Sequence, residues 1–188
     1  MKPARGLLWF MLWIVWYSPG AGAGEIHRVD VSYRQGFYLF NIDAVIDGRY
    51  DVIHKLVSDY ANLYQLSDAV LESVVLGSPR PGEQRLRFVA RVCILFFCFK
   101  KSLVVDVTEA PDGVFNAIVV PHLCDFKSGH GTWRFTPDGP SRTFVHYSGE
   151  QQPAFWIPPV IGPFILRHKL ITEAIKTIHN LELLANHV

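Results

Sequence analysis

Ile161-Gly-Pro-Phe-Ile-Leu-Arg-His-Lys-Leu-Ile-Thr-Glu-Ala-Ile-Lys-Thr-Ile-His-Asn-Leu-Glu-Leu-Leu184 is the stretch on which the fold turns. Phe164, Ile165, His168, Ile171, Ala174, Ile175, Ile178 and Leu181 recur at helical spacing and define an inner stripe. Pro163 falls in the first turn, where its missing N–H costs nothing. At about 1.5 Å per residue, no other segment is long enough to lie across a sheet.

The rest of the chain supplies that sheet. Gln84–Phe99 alternates: Leu86, Phe88, Ala90, Val92, Ile94 and Phe96 on one face, and Arg85, Arg87 and Arg91 on the other. One apolar and one wet face is the mark of an antiparallel sheet. Val29–Asp47 reads as a first strand with a break at Gln35-Gly36, its second part placing Tyr38, Phe40, Ile42, Ala44 and Ile46 on one face. Tyr50–Leu66 switches to helical spacing through Val52, Ile53, Leu56, Val57, Tyr60 and Leu63, and a kink near Asn62 divides it into two short helices. Further strands are expected at Leu71–Leu76, from Leu103 through Val107, and at Val114–Val120, His130–Thr136 and Arg142–Glu150. Turns at Ser78-Pro-Arg-Pro-Gly82, Ala110-Pro-Asp-Gly113 and Pro137-Asp-Gly-Pro140 punctuate them. The order of elements predicts an α+β domain with an antiparallel sheet of about six to seven strands, two short helices after the first strand, and the C-terminal helix as its cover.

The N-terminus reads as an export signal. Met1-Lys-Pro-Ala-Arg5 is basic, Leu7–Tyr17 is apolar, and Ala21-Gly-Ala23 is a small-residue exit. An uncleaved anchor is the other reading, but a spanning helix needs about 20 apolar residues. The expectation is a signal at 1–23 and a single domain at 24–188, periplasmic or secreted. Removal of the signal leaves sixteen basic residues against seventeen acidic ones. Such neutrality argues against a nucleic-acid partner and against a strongly anionic surface as partner.

Cys93, Cys98 and Cys124 leave two outcomes open. A turn between Cys93 and Cys98 would set them face to face for a disulfide, whereas a straight strand at odd spacing would put them on opposite faces. Cys124 and Asp125 lie between His122 and His130, but the spacing fits no zinc pattern and no third group orients a Cys124 nucleophile. No metal and no cofactor is expected. Arg134 and Glu150 either pair or stay solvated. Trp156-Ile-Pro-Pro159 is a stiff apolar stretch that reads as a lid, as a membrane-touching edge, or as ordinary packing at the helix start.

Three stretches carry a family resemblance: Asp51-Val-Ile-His-Lys-Leu-Val-Ser-Asp-Tyr60, Leu66-Ser-Asp-Ala-Val-Leu-Glu-Ser-Val-Val75 and Cys124-Asp-Phe-Lys-Ser-Gly-His-Gly-Thr-Trp-Arg-Phe135. Across residues 29–186 the chain resembles the START-like (SRPBCC) superfamily, the polyketide cyclase/dehydrase and lipid-transport group, and within it the coenzyme Q-binding branch. It departs from that branch in its export signal and in the proline-rich Trp156–Pro163 lead-in. The resemblance implies a helix-grip fold, a curved sheet wrapped around the last helix, with a cavity between them. The expected walls are Phe88, Ala90, Val92, Ile94, Trp133, Phe135, Tyr147, Phe164, His168 and Ile171. Such a lining suits a lipid, an isoprenoid quinone or a polyketide-like molecule held by a monomer. A cyclase- or dehydratase-type enzyme, with His168, Glu150 or Tyr147 as acid or base, is the second reading, and a protein-interaction groove the third.

Overall fold

The computed structural model describes residues 24–94, 97–158 and 162–187. The export signal at 1–23 therefore lies outside the described residues, as do Phe96, Pro159 and Ile161 and the side chain of Ile94.

Eight strands form one antiparallel sheet: β1 (Glu25–Arg34), β2 (Phe37–Asp47), β3 (Val70–Gly77), β4 (Glu83–Ile94), β5 (Phe97–Glu109), β6 (Val114–Val119), β7 (Phe126–Pro137) and β8 (Arg142–Pro153). Their order is β1-β2-β8-β7-β6-β5-β4-β3. After β2 the chain crosses to the far edge through helix α1 (Tyr50–Ser58) and a 3-10 turn (Leu63–Leu66), then meanders back until β8 pairs with β2. The split near Asn62 is present. Helix α2 (Gly162–Asn186) lies against β1, β2 and β4, and against α1 and the 3-10 turn.

The sheet exceeds the expected six to seven strands because Val29–Asp47 is two strands. Gln35 (φ 51°) and Gly36 (φ 91°) both adopt left-handed backbone. Two consecutive positive φ values make a two-residue hairpin turn that reverses the chain, and Arg34 pairs directly with Phe37.

Inward alternation along the strands builds the main core from Ala44, Ile46, Leu86, Val105, Val107, Phe115, Phe135 and Val145, capped by Ile53 of α1 and by Ile178 and Leu181 of α2. A smaller cluster, Val31, Tyr38 and Leu166 with Val92, Leu170 and Ile171 beside them, sits under the N-terminal half of α2. The wet face of β4 carries ion pairs instead. Arg85 grips Asp106 through two hydrogen bonds of 2.7 and 2.8 Å, and Arg87 meets Glu72 at 2.6 Å. The Arg85 guanidinium holds the Asp106 carboxyl below its ordinary range.

Cys93 and Cys98 face each other directly across the β4–β5 hairpin and are bridged. The bridge closes a short loop, so replacing both cysteines by serine is expected to cost only about 2 kcal/mol by loop-closure entropy. That cost is read as a lower denaturant midpoint at unchanged slope.

Candidate functional site: an apolar cavity under the C-terminal helix

A cavity of about 300 Å³ lies between the sheet and the helical cover. Its roof is Val57 of α1, Tyr60 just after that helix, Leu63 and Leu66 of the 3-10 turn, and Thr177, Ile178 and Leu181 of α2. Its walls are the inward residues of five consecutive strands: Leu86 and Phe88; Leu103, Val105 and Val107; Phe115, Ala117 and Val119; Gly131, Trp133 and Phe135; Tyr147 and Gln151.

Side-chain hydrogen bonds fasten the roof. Ser67 Oγ donates to the Glu173 carboxylate at 2.8 Å, and Asn180 Nδ2 donates to the Leu66 carbonyl at 3.1 Å. Lys176 reaches Asp68 at 3.7 Å. Farther along α2, Arg167 donates to the Val31 carbonyl. The polar residues of α2 thus hold the helix over the cavity while Ile178 and Leu181 face into it.

One wall is a run of aromatic rings. Trp133 stacks on Tyr147 with centroids 4.1 Å apart and planes 24° apart, and lies parallel to Phe135 at 6.2 Å. Phe115 meets Phe135 edge-on at 5.9 Å, and Phe40 approaches Tyr147 at 6.0 Å. Tyr147 has this room because the cross-strand pair beside it is Gly131–Gly149. A Cβ at Gly131 would stand 3.0 Å from the Tyr147 ring, and one at Gly149 would stand 3.0 Å from its hydroxyl oxygen.

Electrostatically the cavity is neutral. Among its described lining residues there is no lysine, arginine or carboxylate. His130 touches it through backbone, since its imidazole lies on the outer face, 60% exposed and 3.7 Å from Glu150. Burial alone pushes the Tyr147 phenol up to about 12, so it is a neutral hydroxyl at physiological pH. The Tyr60 phenol is raised too, first by burial and then by the nearby Glu109 charge.

No family model matches this sequence, and no curated protein does. Solved structures do match it. A START superfamily protein from Mycobacterium smegmatis aligns with a TM-score of 0.62 at 16% identity, over 79% of this chain and 97% of that one. A STAR-related lipid transfer protein from Xanthomonas axonopodis gives 0.59 at 14% identity, over 84% and 98%. The Zhui aromatase/cyclase of a Streptomyces species gives 0.57 at 12% identity, over 80% and 93%. The fold is START-like. At these identities the likeness is one of architecture, and such folds host both binding proteins and enzymes.

Within this START-like frame the residues singled out from sequence divide. Phe88, Trp133, Phe135 and Tyr147 come together on the cavity wall. Ala90 and Val92 continue the inward face of β4 beyond it, and Val92 packs with Ile171 in the second cluster. Phe164 and His168 point away: Phe164 is 76% exposed, and His168 is exposed as well. Ile175, also expected on the inner stripe, is exposed. The helix seats Leu166 and Leu170 instead, in line with Ile178 and Leu181, which were expected on the inner stripe and are there. The two stripes coincide at the C-terminal end and diverge at the N-terminal end, where five of the eight residues Phe164–Ile171 are apolar and offer such groups around most of the helix. Ile94 lies outside what is described at side-chain level.

The remaining polar candidates do not converge. Asp125 accepts from the Ser102 N–H at 2.7 Å and pairs with Lys101, and the Cys124 thiol donates to the Val120 carbonyl at 3.4 Å. Arg134 pairs with Asp112 and Glu150 with His130, so Arg134 and Glu150 are not partners. Sequence reading missed Leu63, Leu66, Val105, Val107, Ala117 and Val119 as walls. The alternation that marked Leu103, Val105 and Val107 as a strand was the available signal.

Proposed function

We propose that this chain is an exported binding protein that holds a hydrophobic small molecule between the sheet and α2 and carries or shields it in the periplasm or outside the cell. The observation behind this reading is the cavity of about 300 Å³ with an apolar, uncharged lining. That volume lies at the lower end of small-molecule pockets. It suits one ring or a short chain, with any longer isoprenoid or acyl tail emerging at the mouth. A lipid, an isoprenoid quinone as in the coenzyme Q-binding branch, and a polyketide-like molecule all fit this description.

The lining supports binding over a cyclase or dehydratase reaction. Acid–base chemistry needs a positioned donor or acceptor within reach of the substrate. Of the three residues considered for it, His168 is exposed and Glu150 is engaged by His130 on the outer face, which leaves Tyr147 alone at the cavity. We propose further that the Trp156–Pro159 stretch touches the membrane surface during loading. Trp156 is 78% exposed and Phe164, in the first turn of α2, is 76% exposed, and Arg167, His168 and Lys169 follow in the next turn.

Native mass spectrometry of protein purified from the periplasm, followed by solvent extraction, tests the reading. The expected result is a monomer carrying an extractable hydrophobic molecule. No co-purified molecule, together with no binding of added quinones or fatty acids, would overturn it.

A further inference from the structure

The cavity wall carries a buried hydroxyl that makes no hydrogen bond to any described residue. Tyr147 is 8% exposed and its ring forms part of the wall. Its hydroxyl leans over Gly149, toward the Gln151 position on the same face of β8. None of the described residues hydrogen-bonds to it, and burial is the sole cause of its raised pKa. Ser67 is engaged by Glu173, and Thr177 by the Glu173 carbonyl at 2.8 Å. Tyr60 and Gln151 also bring a hydroxyl and an amide to the lining, but both residues are more exposed than Tyr147. An idle buried donor is costly, because folding strips it of water and returns no bond. A ligand that brings an acceptor recovers that loss, and one that brings only carbon does not.

The sign of the acceptor follows from the same walls. No cation among the described lining residues could balance a carboxylate or phosphate there, and an unpaired charge in such surroundings is strongly disfavoured. A ketone, quinone or ester oxygen carries no such penalty.

Granted that the cavity is the binding site, we propose that the Tyr147 hydroxyl selects its ligand: an apolar molecule bearing a neutral acceptor oxygen, preferred over the same carbon frame without one and over the same frame ending in a carboxylate.

Three probes of matched size decide this by calorimetry: hexylbenzene, hexanophenone and the para-hexylbenzoate ion. The wild-type protein should bind the ketone roughly tenfold more tightly than the hydrocarbon, the worth of one hydrogen bond, and the carboxylate most weakly. Tyr147→Phe keeps the ring and its stacking on Trp133, so it should fold normally and bind hexylbenzene unchanged while losing the ketone preference. The infrared carbonyl stretch of bound hexanophenone gives a second readout, lower in the wild type than in Tyr147→Phe. A ketone preference that survives in Tyr147→Phe, or an identical carbonyl stretch in both proteins, would overturn the selection by Tyr147 while leaving the cavity as the site. Failure of the wild-type protein to bind any of the three would overturn the cavity reading itself, and this inference with it.

Discussion

Ala117→Phe is expected to weaken binding of hexanophenone by roughly a hundredfold, a loss of about 2.7 kcal/mol, with the protein still folded. Ala117 sits on the inner face of β6, between Val107 of β5 and Gly131 of β7 in the register of the sheet. Its methyl group borders the cavity. A phenyl ring there projects into space that is otherwise empty, and it takes a large share of about 300 Å³. Two terms oppose each other in the stability. Burying a ring is favourable by about 1.5–3 kcal/mol, and imperfect fit costs about 1–3 kcal/mol, so the unfolding free energy should stay within about 1–2 kcal/mol of the parent. Ile118→Phe is the matched control, because Ile118 is the next residue on the same strand, faces outward and is 62% exposed. It should change neither binding nor stability appreciably. Calorimetric titration beside denaturant unfolding checks all of this. Intact binding in Ala117→Phe would place the ligand elsewhere.

That experiment rests on a wall residue that the sequence did not mark, and the reason is physical. Alternation at period two says which side chains share a face. It does not say where along the face the packing is incomplete. The inward set of β4 was legible as far as Val92, and that of β5 from Leu103 to Val107. The single strand expected over Gln84–Phe99 is in fact two, with β4 ending at Ile94 and β5 starting at Phe97. The two short helical pieces and the long cover were legible as well. The cavity is a property of small residues as much as of large ones: Ala117 and Gly131 line it beside Phe88, Trp133 and Tyr147. Attention to bulky apolar side chains finds the second group and passes over the first. Gln35-Gly36 was visible as a break, but a break and a reversal differ only in backbone angles, and a glutamine at φ 51° is not a signal that composition carries. The rotation of α2 was hidden for a different reason. Leu166 and Leu170 compete with Phe164 and His168 for the inner side, and the choice is made by what receives them, the Val31–Tyr38 surface of β1 and β2.

Small residues also set the second large effect. Gly149→Ala is expected to destabilise the protein by about 3 kcal/mol, lowering the melting temperature by about 6–12 °C for a domain of this size. The added Cβ would stand 2.6 Å from the His130 carbonyl oxygen and 2.9 Å from the Gly131 Cα. Both are backbone atoms of β7, the strand hydrogen-bonded to β8 on that side. They can yield only if the β7–β8 ladder opens, and β8 is also the strand that joins the meander to β2. Gly131→Ala sits directly across the same pair and should behave differently. The three atoms nearest its added Cβ would all belong to the Tyr147 side chain, at 3.0–3.4 Å, and a ring can tilt where a ladder cannot. Its cost should be about 1 kcal/mol, but the tilt moves the Tyr147 hydroxyl and loosens its stacking on Trp133, so the ketone preference should fall. Thermal unfolding and probe titration of the two variants separate the roles. Equal destabilisation by both would show that the glycine pair serves only the curvature of the sheet. A stable Gly131→Ala with altered selectivity would show that one glycine holds the strands together and its partner makes room for the ring that meets the ligand.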